Sequence, residues 1–242
     1  MKKTPTKPRL SVIVPVRNEA KLLAQCLTSL QHQDAIVPYE VLVIDTNSKD
    51  GTRDIAKRAG VRLIDQPKRG KVYAFIKGAE EARGDIFCFT EADCIVPPTW
   101  IETVASYFDR HKDVSAISGI YTYHDSTPFY NFLARLSLPT GNALYRLLYC
   151  DASLRCSNSA IRASAYKKIG GFSDRFLELY DVELGLRARS VGRVHHVPAM
   201  ENRTSDRRIR GRLMPYIREL IPALISVLRN KPFTQQSYED IR

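Results

Sequence analysis

The stretch that decides the fold is Arg83–Trp100, RGDIFCFTEADCIVPPTW. Its apolar run from Ile86 to Thr90 reads as a buried strand that delivers two carboxylates, Glu91 and Asp93, to its carboxyl end, with Pro97-Pro98 expected to stop the strand. Two acids one residue apart at a strand end can share one divalent cation. In open α/β sheets ligands bind outside the carboxyl ends of strands, so a nucleotide diphosphate with Mg²⁺ or Mn²⁺ is expected at this place. A solvated acidic turn is the competing reading, and the rest of the chain has to decide between them.

Working outward toward the amino terminus, Leu10–Val16 (LSVIVPV) is continuously apolar, the pattern of a strand buried on both faces of a parallel sheet. Asn18 is the expected N-cap of a following helix whose Leu22, Leu23, Cys26, Leu27 and Leu30 share one face. Tyr39–Ile44 (YEVLVI) is the next strand. It ends in Asp45, with Ser48 or Asp50 placed to cap a short helix over 52–59 and Gly60 to end it. Val61–Ile64 is a third strand. The order β-α-β-α-β argues for a parallel, doubly wound sheet with right-handed crossovers. Arg69-Gly70-Lys71 then forms a basic turn into a helix with Val72, Phe75, Ile76 and Ala79 on its apolar side. This turn suits a diphosphate contact or an ordinary loop; it is neither a GxxxxGK[ST] nor a GxGxxG sequence.

Beyond the acid pair, Trp100, Val104 and Tyr107 or Phe108 mark another amphipathic helix, followed by a strand over Val114–Ser118. Residues 119–150 crowd seven aromatics among Pro128, Pro139 and Gly141, the look of a variable insert whose rings pack or stack on a sugar. Gly170-Gly171-Phe172 breaks a helix, and Asp181 with Glu183 opens the next, on which Leu184, Leu186 and Ala188 pack. A short strand is expected over Arg193–Val197. A final helix over Pro215–Leu228 carries an apolar stripe of Ile217, Leu220, Ile221, Leu224, Ile225 and Leu228.

With 242 residues the chain can bury one sizeable core. Five cysteines, an odd number without a CxxC, suggest neither a disulfide framework nor a zinc ribbon and fit a reducing cytosol. Much of the net charge of +11 lies in two pieces, Lys2, Lys3, Lys7 and Arg9 at the start and Arg203, Arg207, Arg208, Arg210 and Arg212 near the end. Such basicity suits an anionic membrane surface, whereas nucleic-acid binding would need aromatics interleaved in the second piece, and 203–212 contain none. No run reaches the roughly 20 apolar residues of a membrane span, and no cleavable signal is visible.

Asp45, the Glu91/Asp93 pair and Asp181 are four carboxylates at strand or helix ends. Chemistry using this set would bind a metal-diphosphate at Glu91/Asp93, hold a base with Asp45, and take a proton from an attacking hydroxyl with Asp181. The order of the motifs SVIVPVRNEA, VLVIDTNSKDGT, RGK, ARGDIFCFTEADCIVPPTW, SNSAIR with GGF, and YDVELGLRARSVGRV resembles the family 2 glycosyltransferases of the GT-A fold, from Leu10 to about Val197. The resemblance implies a GT-A, Rossmann-like, mostly parallel α/β sheet and inverting transfer of a single sugar from a nucleotide-sugar donor, a UDP- or GDP-sugar, to an acceptor hydroxyl. It implies Pro15, Arg17, Glu19 and Asp45 along the nucleoside, Lys71 and Ala92 by the diphosphate, Asp93 with Glu91 on a divalent cation, and Asp181 as general base.

This chain departs from the family pattern at three places. Glu91 stands for the first Asp of DxD, Tyr180 for the Glu before the base, and no histidine follows the base motif where many relatives place a metal ligand, since His195 and His196 come early. The family's processive members carry a QxxRW motif that is absent here, which favours single-sugar transfer. The expected organisation is a basic arm over 1–9, a transferase domain over 10–200 and a basic amphipathic tail over 201–242. The tail would lie on the inner face of the cell membrane, where a lipid-linked acceptor fits, or its helix would serve as a dimer contact or a lid packed on the sheet. The alternatives are a sugar nucleotidyltransferase, for which the glycine-rich basic loop near the start is missing, and a non-catalytic membrane or nucleotide-sugar binder on a decayed site.

Overall fold

The computed structural model describes residues 7–126, 154–177 and 179–207. In chain order the elements are β1 (Leu10–Val16), α1 (Leu23–Gln31), β2 (Tyr39–Asp45), α2 (Thr52–Arg58), β3 (Arg62–Asp65), α3 (Lys71–Glu81) and β4 (Ile86–Thr90). They continue with α4 (Trp100–Arg110), β5 (Val114–Tyr123), β6 (Asn158–Arg162), α5 (Ala163–Lys168), α6 (Tyr180–Ala188) and β7 (Arg193–Thr204). All seven strands join one sheet in the order β3-β2-β1-β4-β6-β5-β7. Strands β1 to β4 run parallel, β6 runs against both of its neighbours, and β7 lies parallel to β5.

Two apolar layers sandwich the sheet, and the two-residue period of a strand assigns side chains to them. Val12, Val14, Val41, Val43, Ile86 and Cys88 pack with Leu23, Leu27, Ala56, Trp100, Val104 and Phe108 from α1, α2 and α4. Their neighbours Ile13, Leu42, Ile44, Phe87 and Phe89 pack on the other side with Val72, Phe75, Tyr166, Phe172 and Leu184. Because both layers are apolar, the central strands read as continuous hydrophobic runs.

Several local expectations change. Asn18 does not cap α1, which begins five residues later after Leu22. Asn18 instead adopts a left-handed φ of 52°, tolerable for its short polar side chain, and its Oδ1 accepts the Lys49 amide at 2.6 Å, tying the β1–α1 loop to the β2–α2 loop. Neither Ser48 nor Asp50 is the N-cap of α2, which is Gly51; Asp50, just before it, accepts the Thr52 amide at 3.0 Å. Strand β4 ends at Thr90, well before Pro97-Pro98, because 91–94 already turn, with the Cys94 amide donating to the Glu91 carbonyl. The strand expected over Arg193–Val197 continues past Pro198 to Thr204, and β5 continues to Tyr123 beside it. The aromatic segment from 127 to 150, Cys150 and the helix expected over Pro215–Leu228 lie outside the described residues. No helix among the described residues is long and apolar enough to cross a membrane.

The extension of β7 depends on one side chain. Between the Ser118/His196 and Ile120/Glu201 pairs the β5–β7 ladder slips, leaving carbonyls out of register. Asn158, fully buried at the start of β6, donates through Nδ2 to the carbonyls of Ile120 and Met200, each at 2.6 Å. Its Oδ1 accepts the Trp100 indole N–H at 2.8 Å, so α4, β5, β6 and β7 meet on one amide. Gly119 makes the approach possible, because a Cβ there would lie 1.8 Å from the Met200 carbonyl oxygen and 2.4 Å from the Asn158 Nδ2. Replacing Asn158 by Ala leaves one buried donor and two buried acceptors unmet, and denaturant unfolding of Asn158→Ala is expected to register a loss of about 2–4 kcal/mol. A loss under about 1 kcal/mol would mean that water replaces the amide at no cost.

Candidate active site

The site lies along the carboxyl edge of the parallel strands. After β1, Pro15 is buried in the strand, paired with Ile44, and Arg17 and Glu19 follow half-buried. The Glu19 amide donates to Thr52 Oγ1 at 2.7 Å, which joins this loop to the start of α2. After β2, Asp45 is buried, and its carboxylate accepts the Ser48 amide and pairs with Arg53 at 2.7 Å. Arg53 also pairs with Asp65 at the end of β3, so one guanidinium draws the ends of β2 and β3 together.

After β3, Gly70 takes a φ of 121°, a conformation that favours glycine, and turns the chain into α3, whose first residue is Lys71. Lys71 Nζ reaches Glu91 Oε2 at 2.9 Å. After β4, Ala92 and Asp93 are buried in the turn. The Asp93 carboxylate accepts Thr204 Oγ1 and an Arg207 nitrogen, each at 3.3 Å, and meets the Cys94 thiol at 3.8 Å. Same Arg207 nitrogen lies 2.7 and 2.8 Å from the two Glu19 carboxylate oxygens.

Asp181 opens α6 from the other side. Leu179 before it has a left-handed φ of 51°, and Tyr180 packs against Phe75 and Phe172 with ring centroids 5.9 and 5.8 Å away. Where the family pattern has a glutamate, Tyr180 thus anchors the first helical turn in the aromatic core. Burial raises the pKa of Asp181, although the Val182 and Cys156 amides donate to the carboxylate and Arg155 lies near it. Cys156, just before β6, is buried. Burial pushes its thiol up, and the charges of Asp181 and Glu91 push it further against the opposing effect of Lys71.

The sequence-expected residues Glu19, Lys71, Glu91, Asp93 and Asp181 therefore come together along one edge, with Asp45 and Pro15 in the strand ends behind. His195 does not join them. Its Nδ1 pairs with the hydroxyl of Tyr107 on α4 at 2.8 Å, and its ring lies edge-on to His111, which follows that helix. Thr204, Arg207 and His124, whose Nε2 lies 3.1 Å from the Asp93 carbonyl, were not anticipated. Arg207 reads in sequence as one of a basic run, and only the long β7 carries it to the acids. Of the basic arm, Lys7 and Arg9 pair with Asp85 and Asp109.

Residues 11–170 match the family described as "Glycosyl transferase family 2". The chain belongs to this family. Among its relatives, glycosyltransferase AglE of Haloferax volcanii is 36% identical over 123 residues, 48% of this chain and 38% of that protein. The dolichol-phosphate mannosyltransferase of Pyrococcus furiosus is 29% identical over 133 residues, 52% of this chain and 38% of that protein. The chain thus matches little more than a third of the length of these relatives. The solved mannosyltransferase PcManGT from Pyrobaculum calidifontis, in complex with GDP-Man and Mn²⁺, superposes with a TM-score of 0.66 at 24% identity, covering 83% of this chain and 58% of that one. The sheet described above is the GT-A fold.

The donor set fits a hard divalent cation. Among the described residues no three His, Cys, Asp or Glu side chains form a closed metal cage. Mg²⁺-type sites built on one or two carboxylates need none, because substrate phosphates complete them. Asp93 is buried yet holds its partners only at 3.3 Å or longer, near the outer limit of a hydrogen bond, which leaves its oxygens open to a shorter and stronger partner.

The raised pKa of Asp181 has a consequence for stability. The fold holds this proton more tightly than the unfolded chain does, so ionising Asp181 costs stability. The cost is absent below the ordinary carboxyl value of about 4 and complete above the raised folded value. Asp181→Asn is therefore expected to be at least as stable as the native chain at neutral pH, with the advantage vanishing in acid; thermal unfolding against pH checks this, and a variant less stable at neutral pH than in acid, relative to the native chain, contradicts it.

Proposed function

We propose that this chain transfers a single sugar from a nucleotide-sugar donor to an acceptor hydroxyl, with inversion at the anomeric carbon. The observation that carries the reading is the meeting of Lys71 with Glu91, beside the buried Asp93, at the carboxyl edge of the parallel strands in a chain that matches glycosyl transferase family 2. The donor is a UDP- or GDP-sugar, with Pro15, Arg17, Glu19 and Asp45 along the nucleoside and Lys71 and Ala92 beside the diphosphate. Asp93 and Glu91 would hold Mn²⁺ or Mg²⁺, which supplies Lewis-acid stabilisation of the leaving diphosphate.

In the transfer step Asp181 accepts the hydroxyl proton as the acceptor oxygen forms its bond to the anomeric carbon. The bond to the diphosphate breaks on the opposite face and its electron pair leaves with the diphosphate, which is why the centre inverts. Lys71 meets the negative charge that develops there. A carboxylate whose proton affinity is raised is a better proton acceptor than an ordinary one.

A lipid-linked acceptor at the cytoplasmic membrane face is the favoured setting. Its support is the name of the Pyrococcus furiosus relative, a dolichol-phosphate mannosyltransferase, together with the basic and apolar sequence of the tail.

The first test is a panel of UDP-, GDP- and dTDP-sugars scored for Mn²⁺-dependent donor hydrolysis and thermal stabilisation, since a ligand that binds only the folded state raises its stability. One donor class should respond. Asp181→Asn should keep that stabilisation and lose transfer by at least about 10²-fold, and Asp93→Asn should lose the Mn²⁺-dependent part of donor binding. Loss of donor binding in Asp181→Asn would contradict its role as base, and binding without transfer in the native chain would favour a non-catalytic binder. For the membrane setting, deletion should begin at Arg208, because Thr204 and Arg207 contact Asp93. That deletion should weaken the salt-sensitive partition onto anionic liposomes, and an unchanged partition would remove the membrane reading.

A further inference from the structure

We propose that Arg207 sets the cation affinity of Asp93, acting as a tethered positive charge that keeps the divalent site weak until a nucleotide diphosphate arrives. The inference rests on the proposed role of Asp93 as a metal ligand. It concerns a residue of this chain whose function neither the family pattern nor the motif order identifies.

Arg207 is delivered to the site by fixed backbone. Strand β7 is strapped at Arg203 to Ile95 by two main-chain hydrogen bonds of 2.7 and 2.9 Å, beside the acid turn. Past Thr204, the Ser205 hydroxyl donates to Asp125 Oδ2 at 2.5 Å and the Asp206 amide donates to Asp125 Oδ1 at 2.9 Å. Asp125 lies two residues beyond the end of β5, so the chain just past two neighbouring strands holds the turn that aims Arg207. His124, one residue earlier, meets the Asp93 carbonyl. The arrangement is built from several contacts rather than from one flexible arm.

The distances rank the two acids. One Arg207 nitrogen lies 2.7 and 2.8 Å from Glu19 but 3.3 Å from Asp93. Glu19 is the anchor, and Asp93 is a second, looser partner. The Asp93 side chain retains 3% of its surface, so solvent screens the acid poorly, while Arg207 keeps 34% of its own and stays partly solvated. A divalent cation on Asp93 would meet the repulsion of this guanidinium at close range, and the Arg207–Asp93 contact has to be given up for the cation to bind. A nucleotide diphosphate removes both obstacles, because its oxygens ligate the cation and its negative charge offsets the guanidinium. Cation and donor are thereby coupled, each raising the affinity for the other by the same factor.

The test measures Mn²⁺ binding to the full chain by electron paramagnetic resonance, with and without GDP or UDP. The native chain should bind Mn²⁺ weakly alone and more tightly with nucleotide. Arg207→Gln and Arg207→Ala should bind Mn²⁺ alone about five-fold or more tighter than the native chain, with a smaller gain on adding nucleotide. Arg207→Lys should stay near the native value, since it keeps the charge. Thermal unfolding of each variant verifies folding, and the neutral Gln variant preserves much of the side chain's packing if Ala does not fold. If the Gln variant binds Mn²⁺ no tighter than the native chain, or if Lys behaves like Gln, Arg207 does not act through its charge and the inference falls while the metal role of Asp93 stands. If no protein binds Mn²⁺ even with nucleotide, the metal role falls and takes this inference with it.

Discussion

The buried amide of Asn158 is the constraint on which the far half of the sheet depends. Strand β6 is the one strand running against its neighbours, and it is wedged between β4 and β5. Beyond it β5 and β7 slip register, so a carbonyl from each strand would be left without a ladder partner in a region closed to water. Asn158 meets both carbonyls and, with its own oxygen, the Trp100 indole of α4. A side-chain amide suits this place because it offers two donors and an acceptor in one plane. The slipped ladder then continues, and β7 extends far enough for Thr204 and Arg207 to reach the site.

The near half depends on apolar strands that end in charge. Strands β1 and β4 are buried along their length and β2 from Val41 onward, and the chain becomes polar where it leaves the sheet at Arg17, Asp45 and Glu91. Parallel alignment brings those ends to one edge. Cations of the same chain then meet the carboxylates, Arg53 on Asp45, Lys71 on Glu91 and Arg207 on Glu19 and Asp93. These pairs differ in burial and in length, and the differences separate a loop-forming contact such as Asp45–Arg53 from the loose contact at Asp93. Asp181 differs again, having backbone amides rather than a short ion pair, so burial dominates its proton affinity.

Much of this was legible from residue order alone. The runs LSVIVPV, YEVLVI and IFCFT read as strands, the first by its unbroken apolar run as one buried in a parallel sheet, and the helical spacing between them called for crossovers, so the doubly wound sheet followed from where apolar side chains must be buried. Glu91, Asp93 and Lys71 stood next to clear strand or helix boundaries, which made their convergence readable too. Asn18 misled because its side chain can cap a helix or bridge two loops with similar local energy, and the neighbouring loop decides between these. Pro97-Pro98 misled because a proline pair can end a strand but also often precedes a helix; the strand had already ended in the tight turn at Glu91.

What the sequence by itself determined is the set of elements with strong periodicity and the acids at their ends, because burial of apolar side chains acts along a strand or helix and leaves a local pattern. Tertiary structure alone decided the rest. The reversed β6, the knot at Asn158 and the placement of Arg207 depend on partners far along the chain, and a hydrogen bond or ion pair between distant residues imposes no period on the sequence around it. Arg207 shows the difference most plainly. In sequence it is one charge in a basic run, and its meaning comes from the length of β7, which is set by an amide 49 positions earlier on another strand.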